Sequence, residues 1–191
     1  MSTCHELRGR IAATGFASGD RLVVGMWESS PIGPFADVMW ATPDGTRRLY
    51  AASAPARFVT AVYGFDEVVE LEAVAVRDGD DAFDVRFGDW ALRLVCGRSV
   101  PLPPRPAWVT RHVERPIARR LLAVETYGVS PSGVEEWYRA SSVRRVRHAE
   151  MHGPAPLGAM APLTPRCGFG FSEPPRFPSC TEVRPRLRDR S

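Results

Sequence analysis

The segment from Glu67 to Cys96 constrains the fold most. Three apolar stretches are separated there by Asp78-Gly79-Asp80-Asp81 and by Gly88-Asp89, which read as hairpin loops. In the second stretch Phe83, Val85 and Phe87 alternate with Asp84 and Arg86; in the third, Leu92, Leu94 and Cys96 share a face opposite Arg93. Successive side chains of a strand point to opposite faces, so a sheet built from these stretches has one apolar face and one wet face.

Upstream, Leu22 to Trp27 is a nearly continuous apolar run, as expected of a strand covered on both faces. Phe35 to Ala41 is a second strand, and Pro43-Asp44-Gly45 turns it into a third, Arg47 to Ala51. Ser53 is the expected cap of a short helix with Pro55 in its first turn, Phe58, Val59 and Val62 as its apolar residues and Gly64 as its stop.

After Gly97 the texture changes. Pro101, Pro103, Pro104 and Pro106 make an extended connector, Ile117 to Val124 reads as a helix packing through Ile117, Leu121 and Val124, and Gly128 to Gly133 reads as a loop. Val134 to His152 reads two ways, because Ser132 with Glu135 resembles a capping box while Val143 to His152 suits a strand; the strand is favoured for the latter part. Seven prolines between Gly153 and Pro178 predict an irregular arm, Cys180 to Leu187 an edge strand, and Arg188 to Ser191 a frayed tail. The fold class that follows is α+β: a predominantly antiparallel sheet, curved or barrel-like, with a few short helices and a proline-rich C-terminal arm.

A chain of 191 residues fits one domain, here with a meander-rich half over 1–97 and a basic, proline-rich half over 98–191. The halves carry formal charges of −5 and +8, an asymmetry that suits either an anionic partner or attraction between the two halves. No apolar run is long enough for a membrane span, and the start Met1-Ser2-Thr3-Cys4-His5-Glu6 lacks the pattern of a secretory signal, so a cytoplasmic protein is expected. The chain contains no lysine, which excludes Schiff-base and P-loop chemistry. Cys4, Cys96, Cys167 and Cys180 form no C-x-x-C pair and are expected to be free, structural thiols.

Two places stand out as candidate sites. His148, Glu150 and His152 alternate, so on a strand all three share one face and present the ligand set of a divalent-metal triad; converging on one ion would need a bend or bulge. The plainer reading is a polar strand end before Gly153-Pro154. Asp37 lies within Phe35-Ala36-Asp37-Val38-Met39-Trp40, beside Phe35 and Met39 on a strand. Burial there would raise its pKa and make it a general acid or base, whereas an arginine partner, the favoured reading, would make it a structural ion pair.

Arg111, Arg115, Arg119, Arg120, Arg139, Arg144, Arg145 and Arg147, with Trp108, Trp137 and Tyr138, could form an anion-binding patch, although a solvated basic face is commoner. No helix-turn-helix, RNP or zinc-finger pattern supports nucleic-acid binding. No G-x-S-x-G elbow is present, and Gly168-Phe169-Gly170-Phe171 reads as a loop whose small residues let the arm cross close to the sheet.

Gly25-Met26-Trp27, the run from Ser30 to Met39, Pro43-Asp44-Gly45 and Phe169-Gly170-Phe171-Ser172 together resemble a family of uncharacterised actinobacterial proteins of similar length, a resemblance that implies no activity or site. The β-rich layout also resembles the cone-shaped barrel of acetoacetate decarboxylase-like proteins, but without their lysine only the fold analogy carries over. The functional expectation is a small apolar or anionic ligand bound or modified in the mouth of the curved sheet; a homo-oligomer is compatible with it. The alternative is an interaction protein that meets an anionic partner through its basic half.

Overall fold

Apolar runs bounded by turn residues become strands almost throughout. The computed structural model describes residues 4–102, 127–129, 135–137, 139–170 and 173–188. In chain order these form β1 (Cys4–Glu6), β2 (Arg8–Phe16), β3 (Arg21–Ser29), β4 (Phe35–Ala41), β5 (Arg47–Ala52), α1 (Ser53–Thr60), β6 (Glu67–Leu71), β7 (Ala75–Asp78), β8 (Ala82–Phe87) and β9 (Trp90–Pro101). There follow β10 (Tyr127–Val129), β11 (Glu135–Trp137), β12 (Ala140–His152), β13 (Met160–Ala161), β14 (Ser179–Val183) and β15 (Arg186–Arg188).

The main sheet runs β6-β5-β4-β3-β2-β14-β12-β9-β8-β7, and β13 pairs with the end of β2 beyond β14. All its pairs are antiparallel except β5 with β6, which α1 joins as a crossover of the kind parallel neighbours need. The sheet is therefore mixed, and it curls into a half-barrel. Its two edges, β6 and β7, are consecutive in the chain, and the link from Leu71 to Ala75 reaches at most about 14 Å. The stretch after Glu67 is thus two strands on opposite edges rather than one arm of a hairpin. A second, small sheet has the order β1-β15-β11-β10.

The concave face is filled with side chains, among them Leu22, Val24, Trp40, Phe83, Phe87, Leu92 and Leu94, as expected in a narrow curled sheet. Trp40 is the hub of its aromatic cluster, with ring centroids 4.8 Å from Trp90, 6.0 Å from Tyr50 and 6.3 Å from Phe87. The convex face of β2 to β5 buries Ala13, Val23, Met39 and Leu49 against Ala56 and Val59 of α1 and against Leu163, Cys167 and Phe169. That double cover explains the unbroken apolar run of β3. The covering segment crosses β2 so closely that a Cβ on Gly15 would sit 2.5 Å from the Pro162 carbonyl oxygen.

Several expectations are corrected. Ser53 is the first helical residue and not the cap: the N-cap position is Ala52, without a side-chain capping bond, and the Ser53 hydroxyl donates to Glu70 instead. The helix stops at Thr60, before Gly64. The strand expected at the sheet edge from Cys180 splits, with β14 lying centrally between β2 and β12 and β15 joining the small sheet. Residues 135–137 are strand, and β12 extends the favoured strand reading to Ala140–His152. The helix expected over Ile117 to Val124 falls outside the described residues. Among the described residues no helix is long and apolar enough to cross a membrane.

Candidate functional site

Asp37 sits on the convex face of β4, directly opposite Gly25 of β3. The missing side chain at Gly25 makes its room: a Cβ there would lie 2.4 Å from Asp37 Oδ1 and 2.7 Å from Trp27 Nε1. Trp27, two residues along the same strand, donates its indole N–H to Asp37 Oδ1 at 3.1 Å. Asp37 is fully buried, and its Oδ2 has no hydrogen-bond partner among the described residues. Burial pushes the carboxyl up to about 7, and the Trp27 hydrogen bond offsets only part of that rise. The partner is thus an indole where an arginine was favoured, which leaves a carboxyl that exchanges a proton near neutrality.

Trp27 stacks against Phe35 with centroids 6.2 Å apart and belongs to a small apolar group with Leu7, Val62 and Val183. Leu7 also lines an open cleft of about 620 Å³, whose other walls are Glu6, Arg8, Glu28, Ser29 and Arg184. Its volume falls in the range of small-molecule sites. Its rim carries both signs of charge, with Arg8 paired to Glu28 at 2.9 Å.

His148, Glu150 and His152 lie in a row on the exposed face of β12. Register shifts against β9 fall between Arg144 and His148 and let Val146 and Ala149 both face the core, but they precede the triad: His148, Glu150 and His152 pair in unbroken register with Val95, Arg93 and Ala91, so the bend that convergence on one ion would need is not at this row. The row closes on itself: His148 Nε2 is 2.8 Å from Glu150 Oε1 and His152 Nε2 is 3.8 Å from Glu150 Oε2. The His148 hydrogen bond lowers the Glu150 pKa. Among the described residues no three His, Cys, Asp or Glu side chains are placed to hold a metal ion.

The structure also joins two cysteines that the sequence leaves 84 positions apart. Cys96 of β9 and Cys180 of β14 flank β12 on the concave face, buried in the same cluster. Beside them Arg10 pairs with Asp78 and lies 5.0 Å over the Phe83 ring, while Arg144 donates to the Asp80 carbonyl at 3.2 Å. Of the expected arginine patch, Arg111, Arg115, Arg119 and Arg120 fall outside the described residues, as do Trp108 and Tyr138. No signal in the sequence pairs Cys96 with Cys180, because their meeting depends on the register of β12.

No protein family, curated protein or solved structure matches this chain.

Proposed function

We propose that the chain binds a small molecule with an apolar body and an anionic group in the cleft beside Leu7, and that Asp37 is the proton-exchanging group of this site. The observation that carries the reading is the unpartnered, buried Oδ2 of a carboxyl poised near neutral pH. Leu7 belongs both to the cleft wall and to the group that encloses Trp27, so an occupant is one side chain away from the indole that holds Asp37. Arg184 stands exposed on the rim and suits the anionic end.

The test is a calorimetric screen of small aliphatic and aromatic carboxylates in buffers of different ionisation enthalpy. Saturable binding that weakens in Arg184→Ala, with proton uptake near pH 7 that disappears in Asp37→Asn, supports the reading. Binding that is indifferent to both substitutions overturns it, as does a screen without any saturable binder.

A further inference from the structure

We infer that Arg21 anchors a site for a small monovalent anion, of halide size, beneath residues 162–168. Arg21 stands on the convex face of β3, in a row that register sets across four strands: Gly15 of β2, Arg21, Ala41 of β4 and Arg47 of β5. The covering segment holds both ends of that row. The Pro162 carbonyl presses on Gly15, and the Gly168 carbonyl accepts a hydrogen bond from Arg47 at 3.1 Å. Arg21 is therefore roofed by the chain between them, and only 2% of it is exposed.

The Nη2 of Arg21 donates to the Thr42 carbonyl at 2.7 Å, whereas Nε and Nη1 are enclosed without a partner among the described residues. A guanidinium keeps its charge throughout the pH range of folded proteins, so unlike Asp37 it cannot relieve burial by changing protonation. A carbonyl or a water satisfies an N–H but leaves the charge uncompensated, and a buried charge of that kind is costly. The carboxyls that chain order and packing bring near are committed elsewhere. Asp20 accepts from Trp40 and Ser18, and Asp44 from Thr42 and Thr46. Glu173 accepts the backbone N–H groups of Cys167 and Gly168, one on each oxygen.

Space and field both suit an ion there. The flanking residues of the row, Gly15 and Ala41, bring one methyl group between them. The covering segment also encloses a cavity of about 40 Å³, whose walls include Leu163, Arg166, Glu173 and Arg176, and Leu163 packs in the same buried group as Ala41. That is room for one small ion, since a water needs roughly 10–15 Å³ on the same measure. Two arginines against one carboxylate make the wall electropositive and draw an anion in. One uncompensated positive charge at Arg21 selects a single negative charge.

The full chain would be melted in potassium chloride, potassium bromide and potassium gluconate at equal ionic strength, gluconate being too bulky to pass beneath the segment. Chloride and bromide should raise Tm saturably, by about 5 °C where the ion is in about hundred-fold excess over its Kd, and gluconate should not. Arg21→Leu should lose the difference, and Arg57→Ala, which removes an exposed arginine of α1, should keep it. Crystals soaked in bromide should show an anomalous peak within hydrogen-bond distance of Arg21 Nε or Nη1. Equal melting in the three salts, or a halide effect retained in Arg21→Leu, would overturn the site. So would bromide peaks at exposed arginines alone, an adventitious ion only, or a water or a carboxylate of the chain in the place assigned to the ion. The bromide peak in the wild type decides the matter even if Arg21→Leu fails to fold.

Discussion

Asp37 changes the pH dependence of the whole chain. Its carboxyl titrates near 3.8 when unfolded and at about 7 when folded, so between those values the folded state holds a proton that the unfolded state has released. Stability is therefore greatest below about pH 4 with respect to this group, falls as pH rises through the window, and is fully diminished above about pH 7, by roughly 4 kcal/mol. Urea denaturation of wild type and Asp37→Asn at pH 5 and pH 8 should show this fall in the wild type only. The position of Asp37 beside Phe35 and Met39 is legible from strand alternation, and so is the consequence of burial for its pKa. Its partner is not, because Trp27 meets it only through the pairing of Gly25 with Asp37 across β3 and β4.

At the scale of elements, the segment after β13 is held by side chains and by scattered backbone bonds, such as Gly64 N–H to the Phe169 carbonyl at 2.9 Å and Leu163 N–H to the Arg176 carbonyl at 2.8 Å, rather than by a ladder. Phe169 packs on Phe65 with centroids 5.7 Å apart, and Glu173 accepts the backbone N–H groups of Cys167 and Gly168 at 2.9 and 2.8 Å. Arg47 ties the segment to the sheet by donating to the Gly168 carbonyl at 3.1 Å and to Asp66, whose carboxyl it holds down to about 2. Truncating Phe169 to alanine should cost about 3–4 kcal/mol and make residues 153–170 the first site of limited proteolysis; unchanged cleavage would show that the polar ties suffice. Strands β3, β4 and β5 are legible because their apolar runs and the Pro43-Asp44-Gly45 turn are local signals. The break between β6 and β7 is not, since nothing in Glu72-Ala73-Val74 indicates that the two sides pair with opposite edges. Strand β2 escapes for another reason: Ala12, Ala13 and Gly15 are small where strands usually carry branched side chains, because the Ala161–Pro162 backbone presses on Gly15.

For the whole molecule, the position of β14 matters most. It joins the β2-to-β6 half of the sheet to the β12-to-β7 half, pairing Ser179 to Val183 with Gly9 to Ala13 on one side and with β12 on the other. A strand read from the sequence as an edge is instead the seam of the half-barrel. Removing the chain from Ser179 onward should therefore abolish cooperative unfolding and the near-ultraviolet circular dichroism signal, whereas the loss of an edge strand would leave a folded remnant. The same placement is invisible in the sequence, because the local pattern of Ser179-Cys180-Thr181-Glu182-Val183 says only that it is a strand.

The seam also sets a timetable for biosynthesis. The strand that covers the free edge of β2 emerges more than 160 residues after β2 itself. Throughout that interval the nascent chain carries an open row of backbone donors and acceptors, the feature that draws β-proteins into intermolecular pairing. Shielding that waiting edge, by a holding chaperone or by slow, cool expression, is therefore expected to raise the yield of folded chain in a cell.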